Sequence, residues 1–188
     1  MSRKILLVSD GLFHPPLQAR RHLHSLFTEK SGCDVRRIRS LEKLPQGLGS
    51  IDSLVLYFHH KDIADEALQM LDDYVYGGGG LLAVHSATAS FKGKHAYAEL
   101  VGGAFAGHGP VTELRCRPVE NSSVFPGLPD FTVRDELYLH RFEPDVQTHY
   151  TCVYEGEPVP VVWTREHGQG RVCVAVPGHT VSAVQKPV

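Results

Sequence analysis

The sequence predicts an α/β fold: a doubly wound, mostly parallel sheet with antiparallel strands added in the C-terminal half. Three observations carry this. Short apolar runs at residues 3–9, 51–58 and 81–84 stop at polar or small-residue loops, as buried parallel strands do. Segments with helical spacing lie between them. From about residue 111 the pattern changes to strand-like runs at 111–119, 148–155, 158–164 and 171–176, separated by turns and with little helix between them. No repeat, low-complexity tract or linker divides the chain, so residues 1–188 are expected to form a single domain.

Each element has its own signal. Residues 3–9 read as a first strand that ends at Ser9 and Asp10. A helix can start at Pro15 or Pro16, where proline suits the first turn, and run to about Lys30 before Gly32 stops it. Residues 33–39 make a half-polar second strand, and 51–58 an apolar third. A second helix is expected from about Asp62 to Tyr76, with Ile63, Leu68, Leu71 and Val75 on one face and the run Gly77 to Gly80 closing it. Residues 81–84 form the fourth strand. Glu155-Gly156-Glu157-Pro158 and Gly168-Gln169-Gly170 read as hairpin turns.

Composition excludes several function classes. The net charge is −2 and apart from Arg36, Arg37 and Arg39 the cations are scattered, so no nucleic-acid footprint is expected. No apolar stretch approaches a membrane span, and the run after Arg3 and Lys4 is too short for a signal peptide. Cys33, Cys116, Cys152 and Cys173 form no C-x-x-C pair and read as buried free thiols in a reducing, cytoplasmic setting.

The chemistry is expected at the carboxyl ends of the parallel strands, where ligands bind in open sheets. His85 ends the fourth strand and is followed by Ser86, Ala87 and Thr88, the layout of a nucleophile elbow. An imidazole there can exchange a proton or bind a metal but carries an acyl group poorly. His14, His59, His60 and His179 also follow strands; His108 lies in the glycine-rich stretch 102–109, and His140 follows Asp135 and Glu136. Taken singly, each histidine is equally a helix cap or a partner for a carbonyl; taken together they suggest one pocket. His22, His24, His95, His149 and His167 are assigned to surface positions. Gly102 to Gly109, Gly103 included, reads as close backbone approach to a ligand or as a flexible turn. The run Gly77 to Gly80 lacks the Gly-Lys-Ser/Thr of a phosphate loop. Glu136 is a candidate general base or histidine partner; its structural alternative is a surface charge, and for Asp135 a helix N-cap. Neither H-E-x-x-H nor a Cys-His finger spacing is present, so a divalent metal such as zinc would need ligands from separate loops, the candidates being His14, His85, His108 and His179.

Four segments, GGGLLAVHSATASF, ELVGGAFAGHGP, DELYLHRFEP and PVVWTREHGQGRVCVAVPGHT, resemble in order and spacing the signatures of the ThuA-like, trehalose-utilisation family, over about residues 50 to 180. The matching residues are His85, Gly102, Gly103, His108, Asp135, Glu136, Tyr138, Trp163, Gly170, Arg171 and His179. The resemblance implies a flavodoxin-like fold of the class I glutamine amidotransferase-like type, with His85 at the position of the amidotransferase cysteine and His179 in the region of its triad histidine. It also implies a closing helix beyond Gly178-His179-Thr180, which this chain, ending at Val188, is expected to lack; either the sequence is a truncated form or the sheet is left with a thinner cover.

The expected function is carbohydrate utilisation: acid–base chemistry, with or without a metal, on a small-molecule disaccharide or keto-sugar. His85, His179 and Glu136 are the catalytic candidates; His14, His59, Gly103, His108, Asp135 and Tyr138 are the substrate-binding ones. The rival is a non-catalytic sugar-binding or assembly module on the same scaffold. Glutamine hydrolysis is disfavoured because no cysteine occupies the elbow. Neither nucleic acid nor membrane is an expected partner, and a homo-oligomer is compatible with the sequence.

Overall fold

The computed structural model describes residues 2–11, 17–44, 47–120, 122 and 124–185. Its strands are β1 (Lys4–Ser9), β2 (Asp34–Ile38), β3 (Ser53–Tyr57), β4 (Gly80–Val84), β5 (Gly103–Pro118), β6 (Phe131–Phe142), β7 (Gln147–Tyr154), β8 (Glu157–His167) and β9 (Gly170–Ala175). The helices are α1 (Leu17–Ser25), α2 (Asp65–Tyr76), α3 (His95–Val101) and α4 (Val181–Gln185). All strands join one nine-stranded sheet in the order β2-β1-β3-β4-β9-β8-β7-β5-β6. The five from β2 to β9 pair in parallel and have the flavodoxin-like order. Strands β8, β7, β5 and β6 extend the sheet in antiparallel fashion.

The parallel half forms because its strands are apolar on both faces: Leu6, Leu7 and Val8 in β1 and Leu54, Val55 and Leu56 in β3 are buried. Helix α1 covers one face through Ala19 and Leu23, which pack on Tyr57 and Val84. Helix α2 supplies Ala67, Leu68, Leu71 and Val75 to the main core and carries Asp65 and Glu66 in its first turn, where carboxylates suit the helix dipole. Buried Trp163 of β8 donates from Nε1 to the Val101 carbonyl at 2.9 Å, tying α3 to the antiparallel half. No helix among the described residues is long and apolar enough to cross a membrane.

The structure departs from the sequence expectation mainly in the second half. Residues 131–142, not expected as a strand, and where a helix cap and a surface charge were the structural alternatives for Asp135 and Glu136, form strand β6. Its inward positions run Val133, Asp135, Leu137, and a carboxylate in the middle position disguises the period of two. The stretch 103–109, expected as a loop, is the start of β5, with register shifts between Phe105 and Gly107 and between His108 and Val111. The glycines there sit beside β-bulges. Helix α3 was also not expected; it ends at Gly102, whose φ of +79° makes it the left-handed cap. The start assigned to α1 at Pro15 or Pro16 lies outside the described residues. His149, expected on the surface, is buried in β7, bonded to the Ser122 hydroxyl at 2.8 Å and the Thr164 hydroxyl at 2.7 Å. All four cysteines are free, but only Cys116 and Cys152 are buried.

The α2–β9 junction gives a stability prediction. A Cβ on Gly170 would clash with the Val75 and Gly79 carbonyl oxygens, both backbone atoms. Gly170→Ala is therefore expected to cost about 3 kcal/mol, the upper end of overpacking penalties, read as a lowered urea midpoint.

Candidate functional site

His85 ends β4 in a backbone conformation that side chains rarely adopt, φ +47°, and starts a tight helical turn over His85–Ala89. The strained turn places a fully buried imidazole at the carboxyl edge of the sheet. Its Nδ1 lies 2.8 Å from the Val176 carbonyl. A carbonyl only accepts, so Nδ1 carries the proton and Nε2 presents its lone pair. Tyr138 of β6 packs against the ring, centroid to centroid 4.2 Å, and Phe105 packs edge-on against Tyr138 at 4.9 Å. The Thr88 hydroxyl donates to the His85 carbonyl at 2.9 Å and accepts from His140 Nε2 at 3.0 Å.

Glu136 is the hub. Its Oε2 lies 3.3 Å from His179 Nδ1 and 3.9 Å from His85 Nε2, and its Oε1 lies 3.8 Å from His108 Nδ1. One carboxylate thus faces three imidazoles delivered by β4, β5 and the segment after β9. The ligand atoms of His85, Glu136 and His179 all lie within 4.8 Å of one another.

Asp135, the neighbour of Glu136, points the other way and has no exposed surface. Its carboxylate accepts backbone N–H groups from Gly178 at 2.6 Å, His179 at 3.1 Å and Glu136 at 2.7 Å. Burial pushes its pKa up, against the pull of those donors. Gly178 must be glycine here, because a Cβ would lie 2.9 Å from the His85 Cβ. The Tyr57 hydroxyl donates to the Gly178 carbonyl at 2.6 Å, so the turn that presents His179 is held from both sides.

His85, His108, Glu136, Tyr138 and His179 therefore come together as one group. Asp135, expected to contact substrate, has no exposed surface and lies beneath the turn that carries His179. Gly103 is buried and lines a cavity of about 420 Å³ with Thr88, Lys92, Phe105 and Arg141, adjoining the cluster through Thr88 and Phe105. His59 is exposed at the end of β3, outside the cluster, and burial together with Lys92, His60 and Lys61 lowers its pKa. His60 instead stacks on Phe58, centroids 4.5 Å apart. His14 lies outside the described residues. Sequence reasoning missed Thr88 and Phe105, since a threonine in a turn and a phenylalanine in a bulge have no distinctive local signal.

His140, packed among Phe105, Phe142 and Trp163, is pushed down to about 4 by burial. The unfolded chain binds that proton near pH 6.5 and the folded chain only near 4, so between these values the unfolded state holds more protons. Stability is accordingly expected to fall as pH drops through this window, with His140 contributing on the order of 2 kcal/mol. His140→Phe should lose less stability than the wild type between pH 7 and pH 4.5, measured by urea unfolding at each pH.

The comparisons agree with this architecture. A ThuA-like protein from Bacteroides uniformis ATCC 8492 superposes with a TM-score of 0.78 at 17% identity, covering 96% of this chain and 83% of its own. A ThuA-like protein from Parabacteroides merdae ATCC 43184 gives a TM-score of 0.81 at 19% identity, covering 96% and 81%. The cold-adapted β-galactosidase from Rahnella sp. R3 contains a similar region, with a TM-score of 0.71 at 12% identity over 97% of this chain and 30% of that one. At these identities the likeness concerns the fold. No curated protein matches the chain. The ThuA family, described as trehalose utilisation, matches residues 4–188. The chain belongs to the ThuA family, a membership that supports a role in carbohydrate utilisation.

Proposed function

We propose that the protein is an enzyme of carbohydrate utilisation that acts on a disaccharide or keto-sugar by histidine and carboxylate acid–base chemistry. The observation that carries this reading is the Glu136 carboxylate set 3.3 to 3.9 Å from three imidazoles at the carboxyl edge of a parallel sheet. In a keto-sugar the hydrogen on the carbon next to the ketone is acidic. Glu136 removes it, or His85 does through the Nε2 lone pair that its bond to Val176 leaves exposed to the carboxylate. The electron pair moves into the enolate, then expels the glycosidic oxygen from the carbon beyond. His179 serves the ketone oxygen as hydrogen-bond donor, and His108, half-exposed at the rim, is placed to return a proton to the leaving alcohol. A thioester route is disfavoured, since the elbow carries an imidazole and not a thiol.

His85, Glu136 and His179 also suit a divalent metal. Two imidazoles and a carboxylate are a zinc donor set, and bonds of about 2.0–2.1 Å to a tetrahedral ion place ligand atoms roughly 3.3 Å apart, near the 3.3 and 3.9 Å seen here. The Val176 carbonyl would be the outer partner that fixes the His85 tautomer. A bound ion would supply Lewis-acid polarisation of the carbonyl. The wild type is then expected to take up one equivalent of zinc, and His179→Ala to lose that tight site, measured by metal analysis after gel filtration and by the shift in Tm on adding zinc.

The test of the reading is turnover of a panel of 3-keto-disaccharides by wild type and His85→Ala. Conversion by the wild type and its loss in the variant, with binding retained, supports the reading. Turnover untouched by the substitution overturns it, and calorimetry showing sugar binding with no conversion points to a binding module.

A further inference from the structure

A second group of side chains gathers at the same edge of the sheet, on the α1 side of β1 and β2. In the parallel ladder Ile5 pairs with Val35 and Leu7 with Arg37. Ile5, Leu7 and Val35 share one apolar cluster with Phe27, which follows α1, so this face of both strands lies against the α1 segment. The alternation of side chains along β2 then carries Arg37 to the α1 side, and Arg39, in the bend just after the strand, acts on Arg20 as a like charge. Burial lowers the pKa of Arg20 in α1, and both arginines lie near enough for their charges to lower it further. Arg20 is only 5% exposed, yet among the described residues its one hydrogen bond is a long contact of 3.5 Å from Nη1 to the Ser9 carbonyl, and its buried Nε meets no acceptor there.

A buried guanidinium with open donors is costly unless something anionic completes it. The neighbouring charges do not. Asp10 is the acid that faces Arg20, but it makes no ion pair with it and lies 3.9 Å from His60 instead. Tyr57, the other titratable neighbour, is held neutral by burial. Arg37 and Arg39 add like charge and, among the described residues, form no ion pair of their own.

We propose that Arg20, Arg37 and Arg39 form a binding site for a phosphate-type oxyanion, separate from the Glu136 cluster. A planar guanidinium fork matches two oxygens of a phosphoryl group, and three of them outweigh the single carboxylate. Arg37 on β2 lies about 14 Å from the His85 strand, three strand spacings away through β1 and β3. A disaccharide that carries a phosphoryl group is of about that reach. A phosphoryl group on one sugar would therefore rest on the arginines while the other sugar reaches Glu136. This link to the sugar rests on the function proposed above; the anion site itself does not.

Inorganic phosphate is the first probe, titrated into the full chain by calorimetry against chloride at equal ionic strength. Saturable binding is expected, weakened at least tenfold in the double variant Arg37→Ala/Arg39→Ala. Both residues are exposed, so the variant should keep the wild-type Tm without phosphate, and it serves where Arg20→Met fails to fold. His85→Ala should bind phosphate as the wild type does, so loss of the catalytic reading leaves this result standing. A disaccharide monophosphate binding at least tenfold tighter than either phosphate or the unphosphorylated disaccharide assigns the anion to the substrate. Equal affinity for phosphate and the disaccharide monophosphate assigns it to a free anion. Absence of saturable phosphate binding, or affinity unchanged in the double variant, overturns the proposal.

Discussion

Glu136→Gln is expected to lower kcat on a keto-disaccharide by roughly 10²-fold or more, with KM changed far less. Glutamine has nearly the shape of glutamate, so its side chain can keep the carboxylate's place 3.3 Å from His179 Nδ1. What it cannot do is take a proton or carry the negative charge that the carboxylate sets among the three imidazoles. The loss therefore falls on the chemical step, and steady-state kinetics beside a direct measurement of sugar binding separates the two effects. An unchanged kcat would remove Glu136 from the chemistry and leave it as a partner for histidines only.

Asp135→Ala should produce the largest loss of stability. The substitution strips an acceptor from three backbone N–H groups, those of Gly178, His179 and Glu136, in a place with no access to water. Each unsatisfied buried donor costs about 1–3 kcal/mol, and after relaxation the sum is about 3–5 kcal/mol, a large share of the stability of a domain this size. The turn that presents His179 loosens as well, so the fraction that still folds should be poorly active. Asp135→Asn keeps one carbonyl oxygen towards the turn and should lose less. Equilibrium unfolding in urea measures both variants; a change below about 1 kcal/mol for Asp135→Ala would mean that the turn does not depend on this carboxylate.

These residues also show what the sequence could reveal. The parallel half was legible because β1, β3 and β4 are apolar on both faces and α2 repeats its buried residues at helical spacing. His85 was legible because an apolar strand followed by small residues marks a sharp turn, and the structure gives that residue the positive φ that such a turn needs. The antiparallel edge was not. In β6 the residue that should have been apolar is Asp135, placed there to hold a turn some forty residues later in the chain, and a long-range partner leaves no local pattern. The same strand then sends Glu136 to the opposite face, so the two adjacent acids hold different posts that sequence proximity alone treats as alike. In β5 the bulges that aim His108 towards Glu136 use glycines, which from sequence look like a loop. His149 appeared to be a surface residue because its partners, Ser122 and Thr164, come from separate segments.

The central claim is that His85 and Glu136, contributed by different halves of the sheet, act as one unit. A double-mutant cycle on kcat/KM with His85→Ala, Glu136→Gln and the combined variant tests it most directly. The account predicts that each single change costs most of the activity and that the combined variant falls little further than the worse single one. Losses that multiply independently, or activity retained in the combined variant, would contradict it.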